Sequence, residues 1–353
     1  MVNERTIFEK YRSERSNDLA LAVNITRHSV SAVLYDMPLE RLFARCIRFG
    51  LNVSTDNALA AIGGVVLRVM RESGTPGNAV KKLGFAAPAD ITMLIEETLS
   101  PTDLFLPPDA EMTVLPILSA SLGGDFTGVL ANSLRQGGSV LTADVTGGFR
   151  AAVYSEGALK YFCVPMKGGL DSCGLESGMP LECGAIDELS REPDGTLCYS
   201  VIGDGDSMGV SAPAALGAVK LMLDGGIIDP DGIMTDRDLF YIGEDYYISQ
   251  RDVRAVQSDI SVCRAALELL CGRFDKVNRA IYSGEAFGSE RGTSLVAELG
   301  GLPEGVADSF GWSRLPGEQG IIDCLTDPQI LSEIHRLCGI AEDISAQISG
   351  EFN

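Results

Sequence analysis

The sequence predicts an α/β protein built from two similar halves. Three observations carry this. The chain has 353 residues, 45% of them hydrophobic, which is enough to bury a substantial core and long enough for two domains. Its opening reads as a strand, a hairpin partner and a third strand: LALAVNI at 19–25, SVSAVLYD at 29–36 and ERLFARCIRFG at 40–50, where apolar residues cluster or alternate between turn signals. The same order returns in LTADVTGGFRAAVYSEGALKYFCV, residues 141–164, as strand, tight turn, strand, turn and strand.

The elements between follow from local chemistry. Asp56 can cap a helix over ALAAIGGVVLRVMRES, residues 58–73, and Gly74, Pro76 and Gly77 end it. SPTDLFLPPDAEM, residues 100–112, is a proline-rich surface connection, and residues 114–138 read as a short strand and then a helix closed by Gly137 and Gly138. The expected division is an N-terminal extension over 1–18, a first domain over 19–136 and a second over 137–353.

Composition narrows the partners. Acidic residues outnumber basic ones 49 to 28, a formal charge of -21 that repels polyphosphate backbones and anionic lipid heads. Nucleic acid and membrane surfaces are therefore not expected partners. The start, MVNERTIFEKYRSERSND, has no apolar h-region, and no stretch reaches the ~18 apolar residues of a membrane span, so a cytoplasmic protein is expected. Nine cysteines without a CxxC pair predict reduced thiols; neither the ten-residue steps of Cys163, Cys173 and Cys183 nor the spacing of Cys263 and Cys271 suits zinc or iron-sulfur ligation. His28 and His335 are the only imidazoles, and His335 lies beside Glu333 and Arg336 on what reads as a solvated helix face.

The chemistry concentrates in DVTGG, residues 144–148. An Asp at a strand end can hold a hydrated Mg²⁺, and Gly147 and Gly148 allow backbone N–H groups to approach a phosphate closely. The same residues also describe an ordinary hairpin turn, and both readings stand at this point.

Four segments in order carry a resemblance to one family. YISQRDVRAVQSDISVCRAALELLCGRF (247–274) resembles the (I)xQxDIxxxQxAKxAIxxGIxxL helix of reductive activators of corrinoid proteins, which belong with acetate kinase, sugar kinases, Hsp70 and actin. SCGLESGMPLECGAID (172–187) is similar to that family's ISCGMRAxxGAIE. MGVSAPAALGAVKLMLDGGIIDPDGIM (208–234) is similar to GICGSGLIDLIAxLLxxGIIDxxGRF, and AIYSGEAFGSE (280–290) to YLAGGFGNY. The likeness spans most of residues 19–350 and is strongest after residue 140.

The resemblance implies duplicated ribonuclease H-like, actin-like ATPase domains facing an interdomain cleft. It also implies ATP with Mg²⁺, used to drive an inactive Co(II) corrinoid protein back to Co(I). By position Asp144, Thr146, Gly147 and Gly148 form the second phosphate loop, with Asp144 as metal ligand. Asp171 falls near a further acidic catalytic position, Gly284 and Gly288 border the adenosine, and Asn24 and Thr26 occupy the first phosphate loop. The partners implied are a corrinoid protein or corrinoid methyltransferase, and such activators allow a homodimer.

The departures from the pattern are specific. Where the family's first loop reads DxGTT, this chain has Asn24, Ile25, Thr26, Arg27 and His28; Asn24 brings no negative charge, and Arg27 and His28 offer positive charge to an anion or form an exposed polar turn. In the second loop Thr146 stands for glycine and Gly147 for threonine, with Phe149 and Arg150 where asparagine, glycine and glutamate are expected nearby. Pro213 removes an N–H donor from the GVSAPA segment. No cysteine lies in the eighteen residues before LALAVNI, where the family commonly carries a ferredoxin-like domain, so no iron-sulfur cluster is expected in this chain and a separate protein must donate electrons. Two functions follow: an activator of reduced form, or a catalytically inactive pseudo-ATPase that binds or regulates a corrinoid protein or methyltransferase.

Overall fold

The computed structural model describes every residue except 1–4, 136, 204, 236–237, 275–276, 305, 307–309, 313–314 and 352–353. Two compact units divide the chain. One comprises residues 1–138, 156–159 and 315–342, the other 139–155, 160–314 and 343–353. Residue 136, where the sequence ends the first half, lies outside the described residues.

The first unit begins with β1 (Arg5–Lys10), β2 (Leu19–Ile25), β3 (Ser29–Asp36) and β4 (Arg41–Phe49), followed by α1 (Ala58–Ser73), β5 (Val80–Ala86), α2 (Ala89–Thr98), β6 (Glu111–Val114) and α3 (Gly124–Leu134). The sheet order is β1-β4-β3-β2-β5-β6, with β2, β5 and β6 parallel and the rest antiparallel. Every residue of β2 except Asn24 is buried, as a central strand covered on both faces requires, and LALAVNI therefore reads as a continuous apolar run.

Two expectations are corrected here. The 1–18 segment contains a strand, β1, paired antiparallel along the outer edge of β4. RTIFEK did not announce itself because an edge strand keeps charged residues, and Phe8 is what it packs against the core. The cap of α1 is Asn57, not Asp56, which is exposed. Asn57 does not cap with its side chain: its Oδ1 accepts the Ser54 N–H at 2.9 Å, binding the turn before the helix. Ala58, Ala61, Ile62, Val65, Val66 and Val69 then bury one helical face, and Gly74 closes the helix in the left-handed conformation at φ 71°.

The second unit repeats this plan around an insertion. β7 (Val140–Asp144), β8 (Phe149–Ser155) and β9 (Ala158–Val164) form the meander. The insertion holds β10 (Ala185–Arg191), β11 (Leu197–Val201), β12 (Gly209–Val210), α4 (Ala212–Asp224), β13 (Leu239–Ile242), β14 (Tyr246–Ser249) and α5 (Gln250–Cys271). β15 (Arg279–Ser283), α6 (Glu290–Glu298) and β16 (Phe310–Trp312) complete the core sheet, whose order is β16-β15-β7-β8-β9 and then a short edge strand. β15 runs parallel to β7 and β16 parallel to β15. With the edge strands set aside, both sheets have the order third, second, first, fourth, fifth, which is the ribonuclease H-like order. The doubled hairpin pattern in the sequence is thus a doubled fold.

The chain then returns to the first unit with α7 (Pro316–Thr326) and α8 (Pro328–Ile340), and finishes with the edge strand β17 (Glu342–Asp343) and α9 (Ser345–Glu351). Residues 315–342, read from sequence with the second half, belong to the first unit because α7 packs on α3, β2 and β5. Glycines permit that contact. A Cβ on Gly320 would overlap the Gly128 carbonyl of α3, and one on Gly128 would stand 3.1 Å from the Gly317 carbonyl. Gly320→Ala therefore forces two helix backbones apart and is expected to cost about 2 kcal/mol, read as a lower urea midpoint at unchanged m-value.

Candidate functional site

The β7–β8 turn is assembled by strand register. Asp144 ends β7, pairs across the ladder with Arg150 of β8 on one side, and pairs with Ser283 of β15 on the other. All three are buried, at 4%, 7% and 6% exposure. Asp144 Oδ1 accepts from Arg150 Nε at 2.9 Å, from Arg150 Nη2 at 2.5 Å and from the Thr146 N–H at 2.9 Å. Its Oδ2 accepts from the Ser283 hydroxyl at 2.5 Å and the Thr146 hydroxyl at 3.3 Å. Burial alone would push this carboxyl up; the Arg150 guanidinium and the Ser283 hydroxyl outweigh it and hold it below the usual carboxylate range.

The rest of the turn exposes its backbone at Gly147 and buries Val145 and Gly148, a Cβ on the latter falling 3.1 Å from the Val164 carbonyl. Gly147 and Gly148 take φ of 68° and 141°, and a Cβ on Gly147 would meet nothing within 4 Å. Gly284, at φ 89°, presses on the turn so closely that a Cβ would lie 2.8 Å from the Val145 nitrogen and 3.1 Å from the Thr146 hydroxyl. A Cβ on Gly288 would stand 2.8 Å from Leu181 Cδ2. The structure thus gathers Asp144, Thr146, Gly147, Gly148 and Gly284 around one turn, and seats Gly288 against the neighbouring 172–187 segment.

Asp171 lies on that side too, at 9% exposure, its Oδ1 accepting the Cys173 N–H at 3.0 Å. The segment leading to it is fixed by Asp259 of α5, which is fully buried and accepts the N–H groups of Lys167, Gly169 and Leu170 at 2.6, 2.7 and 3.3 Å. Leu170 in turn accepts the Ala286 N–H at 3.0 Å, tying this segment to the loop after β15.

That loop carries Glu285, whose Oε2 accepts the Leu181 N–H at 2.6 Å. Burial, with the charges of Asp171, Glu182 and Asp144 adding to it, pushes the Glu285 carboxyl up to about 8 against the pull of that N–H. A folded value above the ordinary 4.5 means that Glu285 contributes stability fully below pH 4.5 and loses it as pH rises through about 8. Glu285→Gln is therefore expected to melt near wild type at pH 4.5 and to be more stable at pH 9, by about 2 kcal/mol once partial solvent screening is allowed for. Parallel urea titrations at the two pH values check the sign.

The first loop lies in the other unit and is closed on itself. Thr26 Oγ1 accepts the N–H groups of His28 and Ser29 at 3.2 and 3.0 Å, and the Thr26 N–H binds the Ser29 carbonyl at 2.8 Å. Arg27 pairs with Asp90 of α2 through two bonds of 2.7 and 3.1 Å, both side chains half-exposed. Asn24 Oδ1 is buried with no hydrogen-bond partner, and Gly317 of α7 sits against the same amide, 2.7 Å from Nδ2 to a Cβ placed there.

Sequence reasoning missed the roles of Arg150, Ser283, Asp259 and Glu285. Arg150 was recoverable: a turn of 145–149 sets residues 144 and 150 opposite each other. Asp259 stands in the QSDI stretch already singled out for its likeness, but its acceptor role needed the fold. All nine cysteines are present as thiols, and among the described residues no three His, Cys, Asp or Glu side chains are grouped to hold a metal ion. Among the described residues no helix is long and apolar enough to cross a membrane.

Among solved structures, a "reductive activator for corrinoid,iron-sulfur protein" superposes with a TM-score of 0.76 over 97% of this chain at 15% identity. The two share one fold. This chain spans 66% of the activator's length. An ethanolamine utilization protein from Carboxydothermus hydrogenoformans matches at TM-score 0.46 and 12% identity, covering 86% of this chain and 88% of its own. The activator of the 2-hydroxyisocaproyl-CoA dehydratase from Clostridium difficile, with bound ADPNP, matches at TM-score 0.40 and 9% identity, covering 90% and 97%. No protein-family model and no curated protein matches the sequence.

Proposed function

We propose that this chain serves a corrinoid methyl-transfer system as a member of the activator fold that binds its corrinoid partner without hydrolysing ATP. The observation that carries the second half of this reading is the buried Asp144–Arg150 pair. Hydrolysis in this fold's chemistry relies on a carboxylate that holds a hydrated cation beside the phosphates. Here both oxygens of that carboxylate are engaged by protein donors. A cation fits Asp144 only by displacing Arg150. The first loop agrees: Asn24 has no charge, the Thr26 hydroxyl is spent on its own turn, and Arg27 is neutralised by Asp90.

What this chain's residues can do is bind and position. The exposed Gly147 backbone receives phosphate oxygens, Gly284 and Gly288 border the base and sugar, and Asp171 with Glu285 keeps the adjoining segment in place. The activator reading, in which ATP drives Co(II) to Co(I), is supported by the shared fold and by the four similar segments; the loop geometry favours the non-hydrolysing one.

The test mixes the purified chain with a Co(II) corrinoid methyltransferase, a low-potential reductant and Mg²⁺-ATP. The expected result is co-elution of the two proteins with no ATP-dependent gain in Co(I) absorbance. Failure to associate sinks the corrinoid reading, and ATP-dependent Co(I) formation restores the activator.

A further inference from the structure

The Asp144–Arg150 pair does more than remove a cation site. A buried carboxylate left alone at this turn would repel any phosphate, and in the absence of screening water that repulsion is large. Arg150 cancels the charge permanently, because a guanidinium stays protonated at every physiological pH. It is also held where it cancels best, with Nε and Nη2 both on Oδ1 and its position set by the ladder partner of Asp144. In the turn beside the pair Gly147 is exposed, with no atom within 4 Å of the place a Cβ would take.

We propose that Arg150 is the resident cation of the β7–β8 turn, and that the turn therefore takes the phosphates of a nucleoside di- or triphosphate free of divalent metal. This rests on reading residues 144–148 as a phosphate cradle. A metal chelated by the phosphates gains nothing here, since Asp144 has no oxygen left to offer it and Mg²⁺ gives up its water reluctantly. A metal-free phosphate meets the exposed turn backbone at Gly147 and, behind it, a neutral ion pair.

Two measurements on the full chain test this. In the first, Mn²⁺ alone is titrated and followed by electron paramagnetic resonance and by melting temperature. Wild type is expected to leave Mn²⁺ free and to melt unchanged. Arg150→Gln, which keeps a donor for Asp144 and loses the charge, is expected to bind Mn²⁺ more tightly by about tenfold or more and to melt higher with it. Asp144→Asn in that background is expected to abolish the gain. Mn²⁺ bound by wild type and lost in Asp144→Asn overturns the proposal without any need for the Arg150 variant to fold, and a folded Arg150→Gln that gains no site overturns it as well.

In the second, ATP is titrated calorimetrically into wild type with EDTA and then with excess Mg²⁺. Equal affinity, or tighter binding in EDTA, is expected. Binding that appears only with Mg²⁺, or no binding in either, overturns the ligand class. Failure of the corrinoid reading shows in the co-elution assay and leaves both results untouched.

Discussion

Arg150→Ala is expected to lower the stability of the protein by about 3–5 kcal/mol, the range for breaking a buried ion pair from one side. The argument is one of stranded charge. Asp144 has 5% side-chain exposure and keeps its carboxyl ionised through Arg150, so deleting the guanidinium leaves a buried anion with only Ser283 and Thr146 as donors. An arginine serving as a surface residue would lose at most about 1 kcal/mol on the same change. Removing both charges with shape conserved, as in Asp144→Leu with Arg150→Met, is expected to recover most of the loss, because a buried pair contributes little beyond satisfying itself. Chemical denaturation of Arg150→Ala and the double variant yields the comparison, and adding the single variants Asp144→Leu and Arg150→Met completes a double-mutant cycle that gives the coupling directly.

Asp259→Ala is expected to cost about 3–4 kcal/mol, from one side chain that makes no charge pair. Its carboxylate is the acceptor for Lys167, Gly169 and Leu170, and the last two are buried. Each N–H left without an acceptor costs about 1–3 kcal/mol, with part of the sum relieved as the segment relaxes. Gly169 has no room to relax inward: a Cβ there would lie 2.5 Å from the Val256 nitrogen, so the segment already touches the α5 backbone. Hydrogen exchange should therefore report lost protection over residues 167–175 while β7 and β8 keep theirs. Asp259→Asn, which retains one acceptor oxygen, is expected to fall between.

Much of the fold was legible because strands and helices here obey local rules. The two meanders alternate or run apolar between short turns, glycine-marked in the second, and α1 has an unbroken apolar face ending at Gly74. What could not be read depends on long-range contacts. β1 is an edge strand whose charged residues hide its pairing with β4, and α7 is assigned to its unit by close approach of Gly320 to Gly128, nearly two hundred residues earlier. The site divides the same way. Asp144 and the glycines declared themselves through turn chemistry, whereas Ser283 reaches Asp144 across 139 residues and Asp259 reaches Gly169 across 90. Arg150 is the instructive case, since its identity was noticed as a departure and its meaning came only from register.

The central claim is that Asp144 is committed to Arg150 and not to a catalytic cation, and phosphate release from Mg²⁺-ATP tests it most directly. The account predicts that wild type and Asp144→Ala release phosphate at the same background rate, with and without a Co(II) corrinoid partner. Turnover by wild type that disappears in Asp144→Ala would contradict it.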